Sequence, residues 1–349
     1  MIPTNFKSFS KKDILAKTNI RTYETKMGET VDYCSENNFE SYLTTTEAKY
    51  VIIGIPEQIG VLANFGKSGT QTLWPEFLKS FLNIQSNKYL TGQIILLGGY
   101  FDFDEELNLI NTIARDFTEK VTALRKLTEK IDDQIEEIVK IICRQKKIPI
   151  IIGGGHNNAY GAIKGAAKGL CSASLIPSAS INVINLDAHT DFRTKEGRHS
   201  GNAFRYAFLN GFLEKYFVVG VHENYLQQYV IEDISSNPSI EYITYEDIFI
   251  REQLNFSQAI DKGINFTKEN YVGLELDLDS VENILSSATS PTGFTVHQAR
   301  NFIHKVTLKC KIAYLHICEG ATMLENKTLN PLTGKLVSYL VSDFIKATL

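Results

Sequence analysis

Cysteine is scarce in this chain, and what there is lies scattered. Five cysteines (Cys34, Cys143, Cys171, Cys310, Cys318) occur among 349 residues, with no C-x-x-C pair. That argues against a disulfide-stapled scaffold and a thiolate zinc knuckle, and the expected setting is a reducing compartment, the cytoplasm. Long apolar runs are missing too. None approaches the about 18 residues that a membrane-spanning helix needs. The N-terminus has no basic segment leading into an apolar one, so neither a membrane anchor nor a signal peptide is expected. No sign of charge dominates: 36 Lys and Arg stand against 40 Asp and Glu, a net −4. A nucleic-acid surface is not expected from this balance. Small molecules or other proteins are the expected partners, with a homo-oligomer left open. There is no internal repeat and no linker rich in proline, glycine or serine. With 43% apolar residues, ample for a core, residues 49–349 read as one domain. Residues 1–48, polar and mixed, read as an N-terminal extension whose packing the sequence leaves open.

What is present is a rhythm of eight apolar runs, at 50–55, 93–97, 148–152, 181–186, 216–221, 241–244, 271–276 and 311–317. Helical patterns alternate with them, at 75–84, 110–145, 158–168, 202–211, 245–262, 296–308 and 335–347. The second strand is expected to end at Gly98-Gly99. Short buried strands alternating with helices predict a three-layer α/β/α fold around an open, mainly parallel sheet of eight strands. A closed eight-stranded barrel has a similar rhythm, but the connections here are uneven, which favours the open sheet. The glycine-rich stretch 60–70 lacks the spacing of a phosphate loop. As a long loop at a strand's carboxyl end, it is a candidate wall of an active site.

Several strands are followed by residues that bind metals. His156 lies in GGGHN after the third strand, and Asp187, His189 and Asp191 lie in DAHTD after the fourth. Asp277 and Asp279 lie in LELDLD after the seventh, and Glu319 follows the eighth. In parallel α/β folds, ligands bind beyond the carboxyl ends of the strands, so all of these fall on one side of the sheet. Taken singly, D-x-D is a common cap or surface pair, and a lone histidine after glycines can merely satisfy a loop. Together, four carboxylates in one place repel one another unless something positive sits among them. Six donors exceed the four that one zinc usually takes. They suit two divalent cations about 3.5–4 Å apart, which make a shared water nucleophilic near neutral pH. Oxygen-rich ligation without cysteine favours manganese. Arg193, Lys195, Arg198 and Arg205 follow the ligands closely, and an arginine aimed at the cleft would grip a substrate carboxylate. Ser200 and Asn202 are candidate hydrogen-bonding partners. Lys195 reads as a solvated loop residue. Cys318 has no base placed beside it and is not expected to act as a nucleophile.

The motifs GGGHN at 153–157, DAHTDFR at 187–193, HSGN at 199–202 and D-L-D at 277–279 resemble the ureohydrolase family, which contains arginase, agmatinase and formimidoylglutamase. The stretch 54–70 and the C-E-G after the last strand also resemble family positions, and the likeness runs from about residue 50 to 335. It implies the same open eight-stranded sheet and a pair of Mn²⁺ ions. One ion would take His156, Asp187, Asp191 and Asp277. The other would take His189, Asp187, Asp277 and Asp279, with Asp187 and Asp277 shared. Asp191 would also be catalytic, and Glu319 would steady a cationic amidino or formimino group. The D-F-R form, with Phe204 where arginases carry a shuttle histidine, looks like formimidoylglutamase. The implied reaction is hydrolysis of N-formimidoyl-L-glutamate to glutamate and formamide in histidine breakdown. Its substrate carries two carboxylates, which suits Arg193, Ser200, Asn202 and Glu319 as binding residues. Arginase or another guanidino hydrolase is the alternative. A non-catalytic binding protein that kept the fold is the third reading, and it would show a missing ligand. Two departures bear on the substrate: the proline usual soon after D-x-D is missing, since Ser280-Val281-Glu282 follow, and Lys67 replaces the common arginine of the early loop.

Overall fold

The computed structural model describes residues 2–34 and 39–349. Among the described residues, ten strands form one sheet: β1 (Phe6–Lys7), β2 (Asp32–Tyr33), β3 (Tyr50–Gly54), β4 (Ile95–Phe101), β5 (Ile148–Ile152), β6 (Ile181–Leu186), β7 (Leu213–Val221), β8 (Ile240–Thr244), β9 (Val272–Asp277) and β10 (Ile312–Cys318). Their order is β1-β4-β3-β5-β10-β9-β6-β7-β8, with β2 also on β4. All pairings are parallel except β1 with β4. The open sheet between helix layers agrees with the expectation. The two strands beyond the expected eight come from residues 1–48, which cover the edge of β4 instead of leaving its backbone groups exposed.

The β4 strand does not stop at Gly98-Gly99 as expected; it runs on to Phe101. Gly99 sits at φ 148°, and a Cβ there would lie 2.3 Å from the Lys7 carbonyl oxygen. Gly99 admits β1 instead of ending the strand.

Side chains of the strands alternate between two apolar cores. Val51, Ile53, Ile151, Ile181 and Val183 face one core, built with the helices Phe117–Arg144 and Asn158–Ser172. Tyr50, Ile52, Ile150, Ile184 and Leu186 face the other, built with Leu73–Phe81, Phe256–Thr267, Val296–Lys309 and Leu332–Ala347. The pattern at 110–145 is two helices, Asp104–Ile113 and Phe117–Arg144. Asp116 caps the second by accepting the Glu119 N–H at 2.8 Å, so the break is built by an N-cap. Likewise 245–262 divides into Tyr245–Phe249 and Phe256–Thr267, where Asn255 and Gln258 form a capping box.

On the helix Asn158–Ser172, Gly161, Gly165 and Gly169 face the helix Phe117–Arg144. A Cβ on each would lie 2.7, 2.6 and 2.6 Å from the carbonyl oxygens of Asp132, Glu136 and Lys140. Glycine spaced four residues apart lets the two backbones touch. The long helix is thereby held against the element that begins just after His156. Among the described residues, no helix is long and apolar enough to cross a membrane.

Candidate metal centre and active site

The strands that carry the candidate ligands are neighbours, in the order β5-β10-β9-β6. They are parallel, so their carboxyl ends lie in one row at the centre of the sheet. At about 4.8 Å between strands, the row spans about 14 Å. That distance is short enough for side chains from all four ends to meet.

They do meet. His156 Nδ1 lies 3.2 Å from Asp187 Oδ2, 3.0 Å from Asp191 Oδ2 and 3.1 Å from Asp277 Oδ2. His189 Nδ1 lies 3.2 Å from Asp279 Oδ2 and 3.6 Å from Asp187 Oδ1. Two groups result, His156–Asp187–Asp191–Asp277 and Asp187–His189–Asp279, each with donor atoms within 4.8 Å of one another. Asp187 belongs to both. The backbone fixes these carboxylates: Asp187 Oδ1 accepts the His189 N–H at 2.6 Å, and Asp277 Oδ1 accepts the Asp279 N–H at 2.8 Å. Asn185 Nδ2 donates to Asp187 Oδ2 at 2.9 Å.

The donor set fits divalent cations. A single N–H at His156 Nδ1 cannot satisfy three carboxylate oxygens at once, and Asp279 Oδ1 is buried with no hydrogen-bond partner among the described residues. Burial opposes a charge on His156. The Cys318 sulfur and the Asp187, Asp191 and Asp277 carboxylates override it, so the imidazole holds its proton well above the ordinary range. Burial, then the charges of Asp279 and Asp187, push the Asp277 carboxyl well up. The cluster thus carries more negative charge than its imidazoles balance. The polypeptide itself is strained here: Asp191 and Glu319 take φ values of 45° and 60°, a left-handed region uncommon for residues with side chains.

A cavity of about 280 Å³ opens onto this cluster. Asp191, His189, Asp277, Asp279 and Glu319 line it, together with Arg193 and Ser200. His156 and Asp187 lie behind its wall, fully buried. Glu319 Oε1 accepts the His156 N–H at 2.8 Å, and Ser287 Oγ lies 3.4 Å from Oε2. Burial, reinforced by Asp279 and Asp191 against the His156 N–H, pushes the Glu319 carboxyl up to about 8. Arg193 donates to Asn64 Oδ1 at 2.9 Å and to Glu196 Oε1 at 2.7 Å. Tyr225 stacks on the His189 ring at 4.8 Å.

A model of the arginase family matches residues 101–344, well over half of the chain. The chain belongs to the arginase family. A formimidoylglutamase of Streptococcus pyogenes serotype M6 is 28% identical over 222 residues, 61% of this chain and 66% of that protein. The chain thus spans just under two thirds of the length of the curated relatives it matches. Among solved structures, formimidoylglutamase from Bacillus subtilis aligns with TM-score 0.69 at 15% identity, covering 95% of this chain and 94% of that one. Trypanosoma cruzi formiminoglutamase with Mn²⁺ aligns with TM-score 0.66 at 17% identity, covering 93% and 98%. At those identities the structural likeness is one of fold.

This arginase-family chain does not bring every expected residue to the cavity. Asn202 is buried; its Oδ1 accepts from the His199 N–H at 3.2 Å and from Arg198, and its Nδ2 donates to Gly197 O at 2.8 Å. It ties the HSGN turn together. Arg198 is buried as well. Its Nε and Nη2 bind Asp132 at 2.8 and 3.2 Å, and Nη2 also reaches Asn157 O at 2.8 Å. Arg205 is taken by Phe192 O and Asp233, and Lys195 lies over the Tyr206 ring. Of the four basic residues, Arg193 alone lines the cavity. Phe204 turns inward, edge-on to the His156 ring at 5.0 Å and stacked on Tyr216 at 4.3 Å.

Glu57 was not singled out by the sequence. Buried at the end of β3, its Oε1 accepts from the Gly155 N–H at 2.9 Å and from Asn158 Nδ2 at 2.9 Å. Gly153 and Gly154, at φ 93° and 74°, bend the chain so that this carboxylate sits under the turn and aims His156. The available signal was an acid directly after an apolar run, in GIPE. Asn64 and Gly66 line the cavity from the glycine-rich stretch expected as its wall, and Tyr225, Gln227 and Ser287 line it from loops without a recognisable motif.

Proposed function

We propose that this protein hydrolyses a C–N bond of a linear amidine, with two manganese ions as cofactors and N-formimidoyl-L-glutamate as substrate. The meeting of six histidine and aspartate donors at one wall of a cavity that also contains Glu319 and Arg193 carries this reading. His156, Asp187, Asp191 and Asp277 would hold one cation, and His189, Asp187 and Asp279 the other, with Asp187 common to both groups. When bound, the cations supply Lewis acidity that makes a water nucleophilic near neutral pH.

The chain's own groups do the rest. Glu319 faces the cavity with one oxygen fixed by the His156 N–H, so its other oxygen can pair with the amidinium of the substrate, whose charge favours the ionised carboxylate. Arg193 provides the positive charge for a substrate carboxylate, held in place by Asn64 and Glu196. Ser200 adds a hydroxyl beside it. Asp191, on the wall, accepts a proton as water adds to the amidine carbon and returns it to the departing amine. The balance is one water consumed, with formamide and the amino group of glutamate released. Supporting the substrate choice are Phe204 in place of a shuttle histidine and the likeness to formimidoylglutamases.

Chelator-stripped protein reloaded with manganese should release formamide from formimidoylglutamate, and no urea from arginine, agmatine or guanidinobutyrate. Urea from any of these would replace the substrate assignment with a guanidino hydrolase. Two bound ions without any turnover would favour a binding protein. Arg193→Ala should raise KM for formimidoylglutamate with little change in kcat, if its contact is equal in ground and transition states.

A further inference from the structure

The buried face of β9 and β10 has a feature that neither the ligand set nor the cavity uses. In register, Gly273 pairs with Tyr314, Glu275 with His316 and Asp277 with Cys318. The other face of these strands carries Leu274, Leu276, Leu315 and Ile317 in an apolar core. On the polar face, Glu275, Tyr314, His316 and Cys318 are fully buried. Gly273 makes room: a Cβ there would lie 2.6 Å from the Tyr314 ring. Tyr314 donates its hydroxyl to Glu275 Oε1 at 2.6 Å, and His316 Nδ1 lies 2.7 Å from Oε2. A buried carboxylate is costly unless fully paired, and here both oxygens are engaged. The plane of the carboxylate is therefore fixed.

That carboxylate stands behind His156. Glu275 Oε2 lies 3.4 Å from His156 Nε2, a buried nitrogen with no hydrogen-bond partner among the described residues. When Nδ1 gives its lone pair to a cation, the ring's remaining proton must sit on Nε2. A small rotation of the ring would complete an Nε2–H···Oε2 bond, whereas the Cys318 sulfur is a weak acceptor. A carboxylate behind a metal-bound histidine fixes tautomer and ring orientation.

We propose that Glu275, held by Tyr314 and His316, is a positioning residue that fixes His156 with Nδ1 toward the cation site. This inference rests on the reading of the cavity as a metal centre.

The test is Mn²⁺ binding to the stripped full-length chain, followed by calorimetry and by electron paramagnetic resonance, with Glu275→Gln and Tyr314→Phe as variants. The parent should bind two ions per chain. In Glu275→Gln, one of the two dissociation constants should rise about 10–100-fold while the other stays. At one equivalent of Mn²⁺ the spectrum should then show an isolated ion. Tyr314→Phe should weaken the same site by a smaller factor, and it carries the test if Glu275→Gln does not fold. A merely structural role would loosen both sites together or neither, and either result overturns the inference. A third ion per chain, on His156, His316 and Cys318, overturns it too. A parent that binds no manganese ends both this inference and the metal-centre reading, whereas two ions in the parent and unchanged variants end this inference alone.

Discussion

Replacing Arg198 separates a structural role from a substrate-binding one. The guanidinium is fully buried. It makes a two-pronged pair with Asp132, reaches the carbonyl oxygens of Asn157 and His199, and lies 5.1 and 4.9 Å from the centroids of the Tyr160 and Tyr206 rings. Arg198→Met keeps the bulk and removes the charge, leaving Asp132 buried without its partner. Breaking a buried pair from one side costs about 3–5 kcal/mol, a large share of a typical stability of about 5–15 kcal/mol. The loss has a ceiling, because burial already lifts the Asp132 carboxyl to about 6 against the pull of Arg198. Without Arg198 it rises further and holds a proton near neutral pH. An acid whose folded pKa is raised binds more protons folded than unfolded, so stability falls as pH rises through that window. The variant should therefore lose less at pH 5 than at pH 8. Urea unfolding of Arg198→Met, Asp132→Leu and the double variant measures this. The double variant should recover at least about 2 kcal/mol relative to the sum of the singles, since no uncompensated charge remains. Single losses under about 1 kcal/mol, or strict additivity, would refute the reasoning. A rise in KM at unchanged stability would restore Arg198 to substrate binding.

Two further outcomes follow from the same packing. His199 Nδ1 accepts the Gly201 N–H at 3.1 Å, which requires a neutral ring. Burial and then the charges of Arg193, Arg125 and Arg198 press its pKa down to about 3. Glu196, 3.1 Å from Nε2, does not reverse this, because Arg193 already holds that carboxylate. The folded form refuses a proton that the unfolded chain takes near its ordinary 6.5, so stability is lost as pH falls below that value, by up to about 1.4 kcal/mol per pH unit. In His199→Asn the slope of unfolding free energy between pH 6.5 and 5 should flatten, and an unchanged slope would remove His199 as its source. Gly165→Ala places a Cβ 2.6 Å from the Glu136 carbonyl oxygen and should destabilise by about 1–3 kcal/mol, despite alanine's better helix propensity. A thermal midpoint at or above the parent's would contradict the close packing of the two helices.

The periodicity of apolar residues was enough to reveal the layers. Strands such as 148–152 and 181–186 are buried on both faces, so they read as continuous apolar runs. The donor residues were legible for a related reason: Asp187 and Asp277 follow such runs directly, and His156 follows one after three glycines, where an acid or imidazole has no role in the core. Residues 104–116 were harder to place, because a break made by an N-cap leaves the apolar period almost undisturbed. Glu275 had a signal in the alternation of LELDLD, but a third acid on one strand face gains meaning only when a tyrosine and a histidine on another strand are known to face it.

The sequence by itself determined the alternation of strands and helices, the side of the sheet on which the donors fall, and their chemical type. These depend on neighbours in the chain and on the fixed direction of side chains along a strand. The tertiary structure alone decided that β10 and β9 lie between β5 and β6, bringing the four strand ends together, because strand order is set by packing between residues far apart. It also decided which cations face the cavity. Arg193 and Arg198 are five residues apart and look alike in the sequence, yet one meets the solvent and the other is locked onto Asp132, a partner on a helix that no local pattern connects to it.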